Sequence, residues 1–253
     1  GSSKEVFMSG LSLEAIAARL ASLEETLIYK LLDRAQFAHN PQAYEPGQSG
    51  FQPLEAWSLF ELRLKAQEML DAPFGRYLIP EERPFHAALP TPRRIPVQTE
   101  TGLTIKELET VNVTASIRNA YLSSLSHWCV SGSDGQWGSS VEHDVICLQA
   151  LSRRIHFGAL YVAESKFQEN PEQFKTWVRA RDDEAIEKAI TRPAQETRVL
   201  DRVKAKVAAI QSLSDPALRR LVDPELVVDL FQKSIIPLTK EGELLYLYQR
   251  VNG

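Results

Sequence analysis

Apolar residues recur along this chain at helical rather than strand spacing. Leu13, Ile16, Leu20, Leu23 and Leu27 alternate steps of three and four, and Leu31 extends the stripe. That period marks one buried face of a helix. Ser12 stands where an N-cap hydroxyl is needed. Glu14, Glu24 and Glu25 are assigned to the polar side, and neither glycine nor proline occurs from Leu11 to Asn40. A second helix is expected from about Pro53 to Leu70, carrying Leu54, Trp57, Leu59, Leu62 and Leu64. Between the two, Pro41 and the Gly47–Gly50 stretch form a loop.

From Asp71 to Gly102 six prolines (73, 80, 84, 90, 92 and 96) exclude any long regular element. Phe74, Tyr77, Leu78, Ile79 and Phe85 make this stretch too apolar for a free tether, so it is expected to pack as a long irregular loop on a helical body. Helical patterning resumes at Ile117–His127 and is followed by a glycine-rich turn through Gly138. Long helices are then expected at Ser140–Asn170 and Asp183–Ser212, and a last segment, Pro224–Val251, contains Pro237. The Ile95–Val97 and Val111–Val113 stretches are the only strand-like text, short and isolated. The expected fold is all-α: a single-domain bundle of long helices with a long loop insertion. Residues 1–10 are read as a tag remnant and tail, because of Gly1-Ser2-Ser3, and 11–253 as the helical domain.

Composition changes this picture little. With 43% hydrophobic and 25% charged residues over 253 positions, the chain is ordinary globular text. Its net charge of −4 leaves no bulk basic field for nucleic acid, and no apolar run approaches the ~18 residues of a membrane span. Cys129 and Cys147 have neither CxxC nor zinc-ligand spacing. They fit two buried thiols in a reducing, cytoplasmic setting. The alternative is one disulfide in a secreted protein, where Asn112-Val113-Thr114 would offer a glycosylation sequon.

Familiar catalytic motifs are missing: no G-x-S-x-G, H-E-x-x-H, EF-hand loop or Walker A occurs. His39, His86, His127, His143 and His156 lie on separate segments, and Gly132, Gly135 and Gly138 do not follow a strand. What stands out is charge inside apolar helical text. Arg153, Arg154 and Lys166 interrupt one core-like helix, Glu196 follows Pro193, and Glu243 comes one turn after Thr239. As residue types these fit solvated faces and ion pairs. The alternative is a pocket for a small polyanion inside a bundle.

Four blocks decide between those readings: Glu25-Thr-Leu-Ile-Tyr-Lys-Leu-Leu-Asp-Arg-Ala-Gln-Phe37, Cys147-Leu-Gln-Ala-Leu-Ser-Arg-Arg-Ile-His-Phe-Gly158, Val162-Ala-Glu-Ser-Lys-Phe167 and Ile236-Pro-Leu-Thr-Lys-Glu241. Together, from about Leu11 to Val251, the chain resembles the all-helical chorismate mutases of fungi and plants. The resemblance implies the pericyclic rearrangement of chorismate to prephenate in aromatic amino acid biosynthesis, with no cofactor and no metal, in a homodimer. Such a reaction needs no nucleophile. It needs a dicarboxylate held in its compact form and negative charge stabilised on the breaking ether oxygen. By matching motifs, Arg154 and Lys166 serve the carboxylates. Glu243, protonated, donates to the ether oxygen, Glu196 accepts from the substrate hydroxyl, and Thr239 is a further contact.

Three departures from the family pattern accompany the match. Ala17 stands where the family has a substrate-binding arginine, and Arg19 lies roughly 200° around the helix from it. Arg192 replaces an asparagine before Glu196 and is a candidate to restore the missing charge. The stretch Gly158–Val162 is one residue longer than in the family, which puts Arg154 and Lys166 twelve apart and ~120° out of phase on an ideal helix. A one-residue π-bulge between Arg154 and Glu164 is therefore expected, with Lys166 still facing the site. Of the family's regulatory site for tyrosine and tryptophan, Arg76, Gly138 and Ser139 remain, while Gly75, Glu142 and Asp223 replace family residues. An alternative to an active enzyme is a weak or inactive relative acting as a secreted effector or protein-binding partner.

Overall fold

In the computed structural model, residues 12–54, 56–95 and 100–253 are described. The expected tail, residues 1–10, and Pro96-Val97 of the strand-like stretch lie outside them. The described residues contain no strand. Helix α1 spans Leu13–Arg34 and starts as its sequence predicts, with the Ser12 hydroxyl accepting from the Ala15 amide at 3.1 Å. The second helix begins later than Pro53. Residues 51–54 and 56–57 form turns and bends around a cis Gln52–Pro53 bond, and α2 spans Leu59–Asp71. Its start is fixed by Ser58 and Glu61, each side chain bonded to the other's backbone N–H. That reciprocal cap outweighs the apolar periodicity that Leu54 and Trp57 share with the helix.

The proline-rich stretch packs on the helices as expected. The Phe85 amide and the His86 ring both bond the buried Glu68 carboxylate of α2, and the Arg83 carbonyl accepts from Ser152. Val111–Val113 is no strand; it follows a short 3-10 turn at Leu108–Thr110 and leads into α3 (Thr114–Trp128). His156, buried completely, accepts from the Val113 amide at 3.1 Å and bonds the Ser152 carbonyl, fastening this connection to the core. The glycine-rich turn uses positive φ at Gly132 and Gly135. It thereby brings Asp134 onto the Ala38 amide and the Asn40 side chain. Cys129 and Cys147 are buried free thiols.

The next run is continuous: α4 (Trp137–Phe157), a π-turn at Gly158–Val162, and α5 (Ala163–Glu169). The surplus residue is thus absorbed locally, as the apolar stripe requires. Helix α6 (Pro171–Ala180) is separate, and the expected Asp183–Ser212 helix is two, α7 (Asp183–Ile190) and α8 (Pro193–Gln211). Pro193 is the cause: it cannot continue a helix from Arg192 but starts one well. Near the C-terminus α9 (Pro224–Leu230) passes through a second π-turn, Phe231–Ile235, into α10 (Ile236–Asn252). Pro237 lies in the first turn of α10, where its missing N–H does little harm.

Buried apolar side chains form two clusters. One holds Leu27, Ile28 and Leu31 of α1, Leu148, Leu151 and Ile155 of α4, and Ile235. The other holds Ile16 and Leu23, then Phe157, Ala159 and Leu160, then Tyr246 and Leu247. On all three strands of chain the clusters meet where Glu24, Arg154 and Glu243 lie. A polar layer separates two apolar ones.

Candidate active site

Arg154 enters that layer from the last turn of α4 and is 5% exposed. Its Nε and Nη2 donate to Oε1 of Glu24 at 3.2 and 3.1 Å, while Arg202 of α8 donates to Oε2 at 3.1 and 2.7 Å. Glu24 is 2% exposed, which corrects its assignment to the polar face of α1. A carboxylate is tolerated there because two guanidinium groups satisfy it. Nη1 of Arg154 is buried and has no hydrogen-bond partner among the described residues.

Lys166 reaches the same layer from α5, on the far side of the π-turn. Its Nζ donates to the Ile190 carbonyl at 2.6 Å and to Glu243 Oε1 at 3.1 Å. Glu243 is buried, and burial raises its pKa above the ordinary carboxylate range despite the opposing pull of Lys166, Lys240 and Arg154. Glu196 of α8 pairs with Lys240 at 2.5 Å. Through Lys240 it joins the group around Glu243.

Close backbone approach makes this convergence possible. A Cβ placed on Gly242 would lie 2.5 Å from Ala159 Cβ, and one on Gly158 would lie 2.7 Å from Thr239 Cγ2 and 3.1 Å from Arg154 Nη1. Both glycines therefore let α10 lie directly against the π-turn. Thr239 is brought beside Arg154 in this way, but its hydroxyl is bonded to the Ile235 carbonyl at 2.7 Å. It presents its methyl group to Gly158.

Beside this layer a cavity of about 280 Å³ opens between α1, α5 and α8, lined by Ile16, Ala17, Lys166, Glu169, Arg192 and Arg198 among others. Ala17 contributes only a methyl. Arg19 does not replace the missing cation, because its charge acts on Glu81 and Tyr161 elsewhere. Arg192 lines the cavity but is held by Glu169 at 2.5 Å. Of the expected residues, Lys166, Ala17 and Arg192 line this cavity, while Arg154, Glu196 and Glu243 lie in the ion-pair layer beside it and Thr239 packs against Gly158. Sequence reading missed Glu24, Arg202 and Lys240. Glu24 could have been found: it lies four residues after Leu20 and three before Leu27, in phase with the buried stripe.

The regulatory remnants lie apart from this layer. Arg76 is paired with Asp71 at 3.6 Å and Glu82 at 3.3 Å and sits over the Tyr77 ring. Gly138 and Ser139 occupy the first turn of α4, and the Asp223 side chain caps α9 by accepting from the Glu225 amide.

Known proteins bear on this arrangement directly. Residues 138–244 match the family model described as chorismate mutase type II. The chain is 36% identical to chloroplastic chorismate mutase 1 of Zea mays, over 96% of this chain and 80% of that protein. It is also 36% identical to the chorismate mutase of Schizosaccharomyces pombe, over 95% and 97% of the two chains. The crystal structure of the Candida albicans enzyme in complex with L-Trp superimposes with a TM-score of 0.87 at 32% identity, covering 96% of this chain and 93% of that one.

Proposed function

The chain belongs to the chorismate mutases of the all-helical fungal and plant type and converts chorismate to prephenate; on that premise we propose how its own residues do so. The observation that carries the assignment is Nη1 of Arg154, a buried guanidinium donor without a partner beside a buried carboxyl group. Buried donors are rarely left unsatisfied, and a substrate carboxylate at this point completes the set.

Charge balance supports the same reading. Arg154, Arg202, Lys166 and Lys240 face Glu24, Glu196 and Glu243. With Glu243 protonated, two positive charges are left over, matching the two carboxylates of chorismate. In the reaction, Arg154 and Lys166 hold those carboxylates and so keep the substrate compact. Glu243, kept protonated by burial, donates to the ether oxygen as its bond breaks. Glu196 accepts from the ring hydroxyl, Thr239 packs its methyl group against Gly158 beside Arg154, and the methyl of Ala17 and the Arg192–Glu169 pair wall the cavity. No group needs to form a covalent bond to the substrate.

The test is direct: purified chain with chorismate, following loss of chorismate and appearance of prephenate. Turnover that falls at least 100-fold in Arg154→Ala supports the assignment, and turnover unaffected by that change refutes it. An effector role without catalysis is disfavoured by the joint burial of Arg154, Lys166 and Glu243.

The same reading extends to assembly and place. A homodimer is supported by apolar side chains exposed at the end of α2 and beyond: Met69, Leu70 and Phe74. Sedimentation analysis showing only a monomer at micromolar concentration would reject it. A cytoplasmic location is supported by the two buried free thiols.

A further inference from the structure

The cavity beside the charged layer has a cationic wall. On α8, Gln195, Arg198 and Arg202 follow one another at steps of three and four, so they face the same side; Arg192 precedes the helix as its N-cap, and all four line the cavity together with Lys166. The facing wall, contributed by α1, is Leu13, Ile16, Ala17 and Leu20, with no charge at all.

Three of the four cations on this wall are already engaged. Arg192 is held by Glu169, Arg202 by Glu24, and Lys166 by Glu243 and the Ile190 carbonyl. Arg198 differs. Its Nε reaches the Ala194 carbonyl of its own helix at 3.3 Å, and no carboxylate among the described residues lies within ion-pair distance. Its side chain is exposed, so it can turn without breaking any buried interaction.

We propose that Arg198 is the second carboxylate-binding arginine of this enzyme, closing its guanidinium over the substrate carboxylate that faces the α1–α8 mouth. The need is set by the layer itself. Arg154 offers one unpartnered nitrogen, Nη1, and Lys166 has already used two of its three donors. A dicarboxylate bound by these alone would lack a bidentate partner for its outer carboxylate, and Arg198 is the one cation of the wall placed and free to supply it. The α1 wall contributes only the Ala17 methyl at this point, which leaves room for the fork. This inference rests on the chorismate mutase reading, and names which residue sets its substrate affinity.

Arg198→Gln, Ala17→Arg and the double variant would be assayed with chorismate beside the wild type, across a range of salt concentrations. Arg198→Gln is expected to raise KM about tenfold or more and to flatten its salt dependence, since an exposed cation is screened by salt. Melting temperature should not change. Ala17→Arg in the Arg198→Gln background should bring KM back to within about threefold of wild type, because either wall can then supply the cation. Arg192→Gln, which removes a cation already paired, should change KM less than Arg198→Gln does. A KM within twofold of wild type for Arg198→Gln would overturn the inference while leaving the enzyme assignment in place. A wild-type chain that leaves chorismate unconsumed would remove both.

Discussion

Gly242 is the residue at which packing and catalysis can be separated most cleanly. A methyl group there would sit 2.5 Å from Ala159 Cβ, whereas carbon atoms in contact keep about 3.5–4.0 Å. Gly242→Ala must therefore push α10 away from the π-turn by about 1 Å. Overpacking of this kind costs about 1–3 kcal/mol, which for a chain of this size lowers Tm by roughly 2–10 °C. The displacement also carries Glu243, the next residue, and Thr239 away from Lys166 and Arg154. A misplacement of about 1 Å can cost on the order of 100-fold in rate. The expected result is a kcat loss of that order with a modest fall in Tm, measured by chorismate consumption and by thermal unfolding. The second variant is Ala159→Gly/Gly242→Ala, which removes the opposing methyl. It should recover most of kcat, although the new helical glycine itself costs about 1 kcal/mol. If Gly242→Ala keeps full kcat, or if removing the Ala159 methyl restores nothing, then close approach of α10 does not position the site.

Further expectations follow from titratable groups and from the regulatory remnants. Since burial raises the pKa of Glu243, its proton is lost as pH rises through that value, and kcat should fall on that limb; Glu243→Gln, a permanent donor, should lack this fall, and an unchanged pH profile would remove Glu243 as the donor. His156 is held neutral with its pKa lowered from 6.5 to about 4, so the unfolded chain binds the extra proton first. Stability should therefore decline as pH drops from about 6.5 to about 4, by at most ~3.4 kcal/mol, and His156→Asn should flatten denaturant midpoints over that range. With Arg76 bound to Asp71 and Glu82, addition of tyrosine or tryptophan is expected to change the rate less than twofold; a several-fold response in the assay would refute this.

How far the sequence carries depends on whether the deciding interaction is local. Helix α1, its Ser12 cap and the packed proline-rich stretch are legible because capping and periodicity act within a few residues. The π-turn is legible for a different reason: an extra residue between Arg154 and Lys166 leaves only a local remedy. By contrast, the start of α2 depends on which of several polar residues forms the reciprocal cap, and Leu54 and Trp57 imitate a helix that the Ser58–Glu61 pair does not begin until Leu59. The spacing of Glu24 from Leu20 and Leu27 matches the buried stripe, but a glutamate is stable there only with partners. Its partners, Arg154 and Arg202, come from positions 130 and 178 residues away. No pattern within α1 records that they arrive. The availability of Arg198 is likewise invisible in sequence, since Arg192 and Arg202 share its residue type and its face, and differ only in having carboxylates beside them.

The polar layer between the two apolar clusters has a consequence for how the protein holds together. Charges there contribute less cohesion than the same volume of packed side chains, because their desolvation offsets much of their attraction. The bundle therefore coheres less across the plane where it works than within either apolar cluster, and a bound dianion adds attraction across that plane. Ligand binding and folding are then linked. A ligand present at 100 times its Kd adds about 2.7 kcal/mol to global stability, and slowed amide exchange should concentrate at the α4–π–α5 junction and the first turns of α10, which carry the charged layer.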